Sequence, residues 1–430
     1  MADYDLVIFG GALEGRIAAM AAASYGARVA LLEPAGLFEE RQQQQCFLEG
    51  LQQLGQTRKR RAVSKWFGDD SSEGKLDWSQ IIAWSQVAAE SQSVTYSVAA
   101  MTVRGVDVVT ERPETLSRRM VVTTRSRRLR ARGGLIACGL VPFASPLFES
   151  DAMPDCVDVV GDSASAVVWS ESLAAVGVKV RLVTQRLLSS ADGDVRRWVR
   201  SRLIATDIER VATGDRNRLT LKVDSGKSAL SFPTFANPQP NRSCFLSVNR
   251  RLQTAHPRLF ACGSVLGGST NASLAEYEAH LAVRNALFLP TRKVNYEKVV
   301  SGCGRYARVG LTQAEATHRY GEAVRVQVAS DANSLDLSRV DPMPEYCKLV
   351  FASDRLVGVH LLGEGAAGLA SLLAKSIGQS LTSVARRQFS SQRLERLFVD
   401  CVGRSQQSQW QPGRWRRDWA ENWFNWRRSR

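Results

Sequence analysis

DLVIFGGALEGRIAAMAAASYGARVALLEP, Asp5 to Pro34, runs from a short β-branched apolar stretch through a glycine turn and small residues into a second apolar stretch. CVDVVGDSASAVVWSESLAAVGVKVRLVTQ, Cys156 to Gln185, repeats that order. Gly10 and Gly26 are 16 residues apart, and so are Gly161 and Gly177. Gly10 and Glu33 are 23 apart, and so are Gly161 and Thr184. Each copy reads as strand, helix, strand, so the pair predicts two βαβ units on parallel sheets, an α/β fold. A glycine turn between strand and helix aims the free N–H groups of the helix start at the carboxyl edge of the sheet. That position favours a pyrophosphate.

The copies are not equivalent. In the first, the G-x-G-x-x-G slots hold Gly10, Ala12 and Gly15, with Gly11 between the first two. Ala12 adds a methyl group where the backbone must approach the phosphate, and Glu33 ends the second strand, where a carboxylate accepts ribose hydroxyls. These residues predict an adenine dinucleotide site; a purely structural βαβ with an empty crevice is the competing reading. In the second copy the slots hold Gly161, Ser163 and Ala166, and the end-of-strand residue is Thr184 rather than an acid. An NADH-type ribose contact is missing there. Arg181 and Arg186 could meet a 2′-phosphate or simply be solvated, so a second nucleotide, NADH or NADPH, is the weaker expectation.

The rest of the chain sets bounds. Its 430 residues suggest two to four domains, and 44% hydrophobic and 23% charged residues are ordinary globular values. No apolar run reaches the ~18 residues of a membrane span. The N-terminus carries Asp3 and Asp5 and runs straight into the glycine turn, unlike a signal or transit peptide, so a cytoplasmic location is expected. Eight cysteines are scattered without a C-x-x-C pair or metal-ligand spacing, which predicts buried thiols in a reduced compartment and no metal. The net charge of +15 is spread over Arg58–Arg61, Arg118–Arg132, Arg196–Arg202 and the C-terminal tail. No nucleic-acid motif with its spacing accompanies it, so no nucleic-acid partner is expected.

Further segments follow a recognisable order: LRARGGLIACG (Leu129–Gly139), RLQTAHPRLFACGSV (Arg251–Val265), NASLAEYEAHLAVRNALF (Asn271–Phe288), ARVGLTQAEATHRYGEAVRV (Ala307–Val326) and CKLVFASDRLVGVHLLGEGAAGLASLLAKSI (Cys347–Ile377). Together with the repeat they resemble the pyridine nucleotide–disulfide oxidoreductase family, which includes glutathione reductase, lipoamide dehydrogenase and mercuric reductase. The resemblance covers residues 4 to 400. It implies an FAD domain over 4–145 and 245–290, a short inserted NAD(P)-type domain over 150–244, an α+β dimerisation domain over 291–400, and a homodimer. It also implies that Gly10, Gly11, Ala12, Gly15 and Glu33 hold the ADP half of FAD. Cys138 and Gly139 would line its crossover, Gly263 and Ser264 would reach the ribityl chain, and Ala275 would lie near the helix start that faces the flavin. Gly161, Ser163, Ala166 and Arg186 are the matching candidates for a second nucleotide.

Against that resemblance stand three losses. The family's redox disulfide needs two cysteines on the helix after the ribose acid, and QQQQCFLEGLQQLG holds Cys46 alone. The family's C-terminal acid is a His held by a Glu. The matching RRQFSSQRLERLF, Arg386–Phe398, has Glu395 but no His. The ribityl-binding A-x-G-D motif reads Ala261, Cys262, Gly263, Ser264. In addition, Val168 stands where the family commonly places a Glu near the nicotinamide. No catalytic residue is identified. Two functions remain: an FAD-binding oxidoreductase-like flavoprotein, open to NAD(P)H linkage, that is not a disulfide reductase, or a catalytically inactive paralogue that acts as a dimeric scaffold or interaction protein through its Trp-rich tail.

A Trp- and Arg-rich amphipathic tail helix is expected over 408–430, which ends in WQPGRWRRDWAENWFNWRRSR. Trp415, Trp419, Trp423 and Trp426 recur at four, four and three residues, which stacks them on one helical face. The readings are a helix docked on its own protein or dimer mate, an interfacial membrane helix, or a partner-protein or nucleic-acid contact, the last disfavoured because phosphate tracking does not need a Trp stripe.

Overall fold

The computed structural model describes residues 2–33, 37–64, 77–138, 144–150, 152–189, 191–215, 218–223, 246–267, 272–331, 344–386, 393–407 and 415–429. The chain divides into two compact units, Met1–Leu187 with Leu203–Val294, and Leu188–Arg202 with Asn295–Arg430.

The first unit is built on the repeat. β1 (Tyr4–Phe9) lies between β2 (Val29–Leu32) and the strand Arg128–Ile136, parallel to both. Val106–Val109 extends the sheet beyond β2, and Leu259–Ala261 adds in parallel to Arg128–Ile136. All four residues of β2 are buried, as expected of a parallel strand covered on both faces. α1 (Leu13–Ser24) follows β1, and its alanines let it pack tightly. Ala18, Ala19 and Ala22 share a core with Ala279, Ala282 and Val283 of the helix Ala272–Leu287. The return segment thus completes the first βαβ layer.

A second parallel sheet carries the second copy, in the order Leu219–Lys222, Cys156–Val160, Lys179–Val183, Glu209–Val211. α2 (Leu37–Ser64) packs against the helix Ala164–Ala175 of that copy. Phe47 stands edge-on to Trp78 and Phe148 and stacks on Trp169, with centroids 6.4 Å apart. A β-carbon on Gly55 would come 2.7 Å from that of Ala175, so the close crossing of the two helices requires glycine.

The second unit is α+β. Five antiparallel strands run in the order Val300–Cys303, Tyr306–Gly310, Arg355–Leu362, Tyr346–Ala352, Val324–Ser330. The helix Arg393–Gln407 buries Leu394, Leu397, Phe398, Cys401 and Val402, the i, i+3, i+4, i+7, i+8 stripe of an amphipathic helix. These side chains join Leu349, Phe351, Leu361 and Leu369 in one core. The fold is therefore two Rossmann-like parallel sheets followed by a C-terminal α+β region. One boundary differs from the expected organisation: Leu188–Arg202, read as part of an inserted domain, groups with Asn295–Arg430. Asp192 and Asp194 are the physical reason, because both bond Lys348.

Candidate functional site

The candidate crevice lies where β1 turns into α1. Gly10 has φ of +108°, and a β-carbon there would lie 2.6 Å from the Ala137 carbonyl oxygen. A β-carbon on Gly15 would overlap the Gly10 carbonyl oxygen. Both glycines of the turn are thus sterically required. Ala12 is the residue before α1 and supplies no side-chain cap. Gly263, with φ of +80°, and the buried Cys138, whose thiol donates to the Phe9 carbonyl at 3.1 Å, adjoin the same turn. Gly139 lies outside the described residues.

Two charged side chains that the sequence reading passed over occupy this turn. Arg16, 2% exposed, donates from Nε to the Gly11 carbonyl at 3.1 Å, from Nη1 to the Tyr96 carbonyl at 3.0 Å, and from Nη2 to Glu39 at 3.1 Å. The same Nη2 bonds Glu33, the intended ribose acceptor, which is itself buried. Phe38 covers the guanidinium, with 3.8 Å between the Arg16 Cζ and the ring centroid. The Glu33 side chain folds over Gly11, where a β-carbon would overlap it. Burial raises the Glu33 carboxyl above its ordinary range, and the Arg16 bond offsets this only in part.

Glu14, also buried, stands in the first turn of α1. Its carboxylate accepts a hydrogen bond from Ser264 Oγ at 3.0 Å and lies 3.7 Å from Arg41. A carboxylate at a helix N-terminus meets the same field that favours a phosphate. Ser264, the candidate for the ribityl chain, is therefore engaged by Glu14. A β-carbon on Gly263 would lie 2.7 Å from Glu14 Cγ. The Gly263 N–H donates to the buried Glu278 at 2.7 Å. Ala275 lies half-buried in the first turn of Ala272–Leu287. Burial, with Glu14 adding to it, pushes the Cys138 and Cys262 thiols well up, so both are inert.

An FAD would need a free acceptor at the end of β2 and an uncharged or basic surface at the start of α1. As arranged, Glu33 Oε1 is bonded to Arg16 and Oε2 is buried, and the start of α1 carries a buried acid. A pyrophosphate brings two negative charges, which Glu14 would repel at close range. The residues present do not fit a flavin dinucleotide in this arrangement.

The second copy departs further. Gly161 lacks positive φ, and Ser163 caps its own helix, accepting the Ala166 N–H at 3.3 Å. Arg181, a candidate for a 2′-phosphate, pairs with the buried Asp158 through Nε at 2.8 Å and Nη2 at 2.7 Å. The Asp215 N–H completes that acid's partners at 3.0 Å. Arg186 is exposed and Thr184 is buried. Cys46 is fully buried in α2, and burial raises its thiol, with Glu49 adding to the rise. It is a packed residue rather than an activated nucleophile. No group of three metal-ligating side chains occurs among the described residues.

A separate polar cluster lies within the second unit. Lys348 Nζ, 1% exposed, bonds Asp192 at 2.9 Å and both carboxylate oxygens of Asp194 at 2.9 and 3.1 Å. Tyr346 Oη donates to Asp194 at 2.6 Å, and the Gln313 N–H donates to Asp192 at 3.0 Å. Burial pushes the Asp192 and Asp194 carboxyls up. For Asp192 the Gln313 N–H, Lys348 and His360 outweigh it, and for Asp194 Lys348 and Tyr346 do, so both stay ionised below the ordinary range. His360, fully buried, is drawn down to about 4 by burial against the pull of Asp192, so it is neutral at physiological pH. The charges of this cluster are paired within the unit, while His360 Nδ1 is buried without a hydrogen-bond partner among the described residues.

No family model matches the chain. A dihydrolipoyl dehydrogenase of Acholeplasma laidlawii is 26% identical over 340 residues, covering 68% of this chain and 99% of that protein. A dihydrolipoyl dehydrogenase of Bacillus subtilis (strain 168) is 21% identical over 88% of this chain and 94% of its own length. The glutathione reductase of a Nostoc species is 21% identical over 88% and 95%. The crystal structure of LpdA from Mycobacterium tuberculosis superposes with a TM-score of 0.73 over 93% of this chain and 99% of that one, at 18% identity, a likeness of fold. These likenesses, at low identity, support the pyridine nucleotide–disulfide oxidoreductase family as the one this chain resembles. Its crevice residues are set by Glu14 and Arg16, two charges in the otherwise apolar and small LEGRIAAMAAAS. A charge pair at i and i+2 within a buried helix start is the signal that could have found them.

Proposed function

We propose that this chain does no flavin chemistry and serves as a non-catalytic binding protein, a homodimer through its C-terminal α+β region. The observation that carries this reading is the buried Arg16–Glu33 pair, which takes up the ribose acceptor from within the chain. Glu14 at the start of α1, the single Cys46 and the absence of a His in Arg386–Phe398 point the same way. A second reading, an FAD-binding oxidoreductase without a dithiol, is favoured by the intact Gly10–Gly15 turn. Glu33 Oε2, which has no hydrogen-bond partner among the described residues, favours it too. If the crevice opened, FAD would supply hydride and electron transfer. Gly10, Gly11, Ala12, Gly15 and Glu33 would then hold its ADP half, Ser264 its ribityl chain.

Turnover separates the two. With added FAD, NADH or NADPH and a quinone dye as acceptor, the protein is expected to oxidise the nicotinamide no faster than the same mixture without it. Saturable, protein-dependent oxidation would reverse the proposal, because quinone reduction needs neither the cysteine pair nor the His–Glu acid.

A further inference from the structure

The tail helix spans Trp415–Arg428. Trp419 is 59% exposed, Trp423 44% and Trp426 46%. Their rings stack on one another, Trp419 on Trp423 at 6.0 Å with an 8° interplanar angle and Trp423 on Trp426 at 5.0 Å. The side chain of Trp415 lies outside those described. At about 100° per residue, Trp419, Trp423 and Trp426 fall within about 60° of arc, and Arg427 lies about 70° from its middle. The acids lie elsewhere on the helix: Asp418 is about 110° off on the other flank, and Glu421 is at the back, where it pairs with Arg417 at 2.8 Å. Three exposed indoles make an apolar stripe on the order of 300 Å², large enough to mark an interaction site.

We propose that this helix lies on an anionic lipid bilayer, with Trp419, Trp423 and Trp426 at headgroup depth and Arg427 against lipid phosphates. Indole suits that depth because its body is apolar and its N–H still reaches polar atoms. The charge argues for lipid over a second copy of the chain. Two tail helices facing each other through this stripe would bring Arg427 of both together. No helix among the described residues is long and apolar enough to cross a membrane, so the contact is with the surface. The proposal is independent of the non-catalytic reading, since the tail shares no residue with the crevice.

The test is flotation of the full chain with vesicles of phosphatidylcholine alone and of phosphatidylcholine with 30% phosphatidylserine. A triple variant, Trp419→Ser, Trp423→Ser and Trp426→Ser, keeps every charge. The wild type is expected to float with the anionic vesicles and not with the neutral ones. The variant, verified as folded by its melting curve, is expected to partition roughly tenfold less or weaker still. Equal flotation of wild type and variant would mean only that a basic protein meets an acidic surface, and would overturn the proposal. So would a wild type that does not float.

Discussion

Replacing Arg16 by leucine is expected to destabilise the first unit by about 3–5 kcal/mol, the usual cost of removing one partner of a buried ion pair. The substitution removes the bonds to Gly11 and Tyr96 and the stacking on Phe38, and it leaves Glu33 buried without its cation. Glu33 already has a raised carboxyl, so in the variant it would take up a proton rather than stay charged, which places the loss towards the lower end of that range. A double variant, Arg16→Leu with Glu33→Leu, is expected to recover most of the stability, because an apolar pair of similar volume removes both desolvated charges. Guanidinium denaturation followed by tryptophan fluorescence reads both. An Arg16→Leu protein as stable as the wild type would show that the pair does not hold the crevice closed.

Lys348→Met is expected to cost a similar amount, about 3–5 kcal/mol, in the second unit. Lys348 is the cation that both Asp192 and Asp194 bond, and Asp192 is nearly as buried as the lysine itself. The remaining donors, the Gln313 N–H and Tyr346 Oη, each satisfy one oxygen but carry no charge. His360 is fully buried and stays neutral, so it does not replace the lost cation without an added desolvation cost. Calorimetry is expected to show the transition of the second unit moving down by several degrees, with Lys348→Arg costing less than Lys348→Met. A Lys348→Met protein with an unchanged melting profile would place the attachment of Leu188–Arg202 elsewhere.

The architecture was legible because equal spacing in two distant segments is a property of the sequence itself: Gly10, Gly26 and Glu33 have their counterparts at Gly161, Gly177 and Thr184. The glycine turn of the first copy was legible for the same reason, since only glycine adopts the Gly10 conformation without strain. What fills the crevice was not. Glu33 reads as a ribose acceptor from its place at the end of β2. Whether its carboxylate is available depends on Arg16, one helix away, and on the 28-residue α2 that brings Phe38 and Glu39 over it. Ser264 is a similar case, for its partner Glu14 stands 250 residues earlier. The grouping of Leu188–Arg202 with the C-terminal unit also rests on long-range charge pairing, over 156 residues from Asp192 to Lys348. Periodicity carries no trace of such pairs.

The central claim, that the first crevice is occupied by its own side chains, is tested most directly by the visible absorption spectrum of the purified protein, before and after incubation with excess FAD and removal of the unbound fraction. A colourless protein that takes up no FAD is the predicted result. A flavin spectrum with FAD released by denaturant at about one per chain would contradict the claim and return the protein to the flavin-dependent enzymes of the family it resembles.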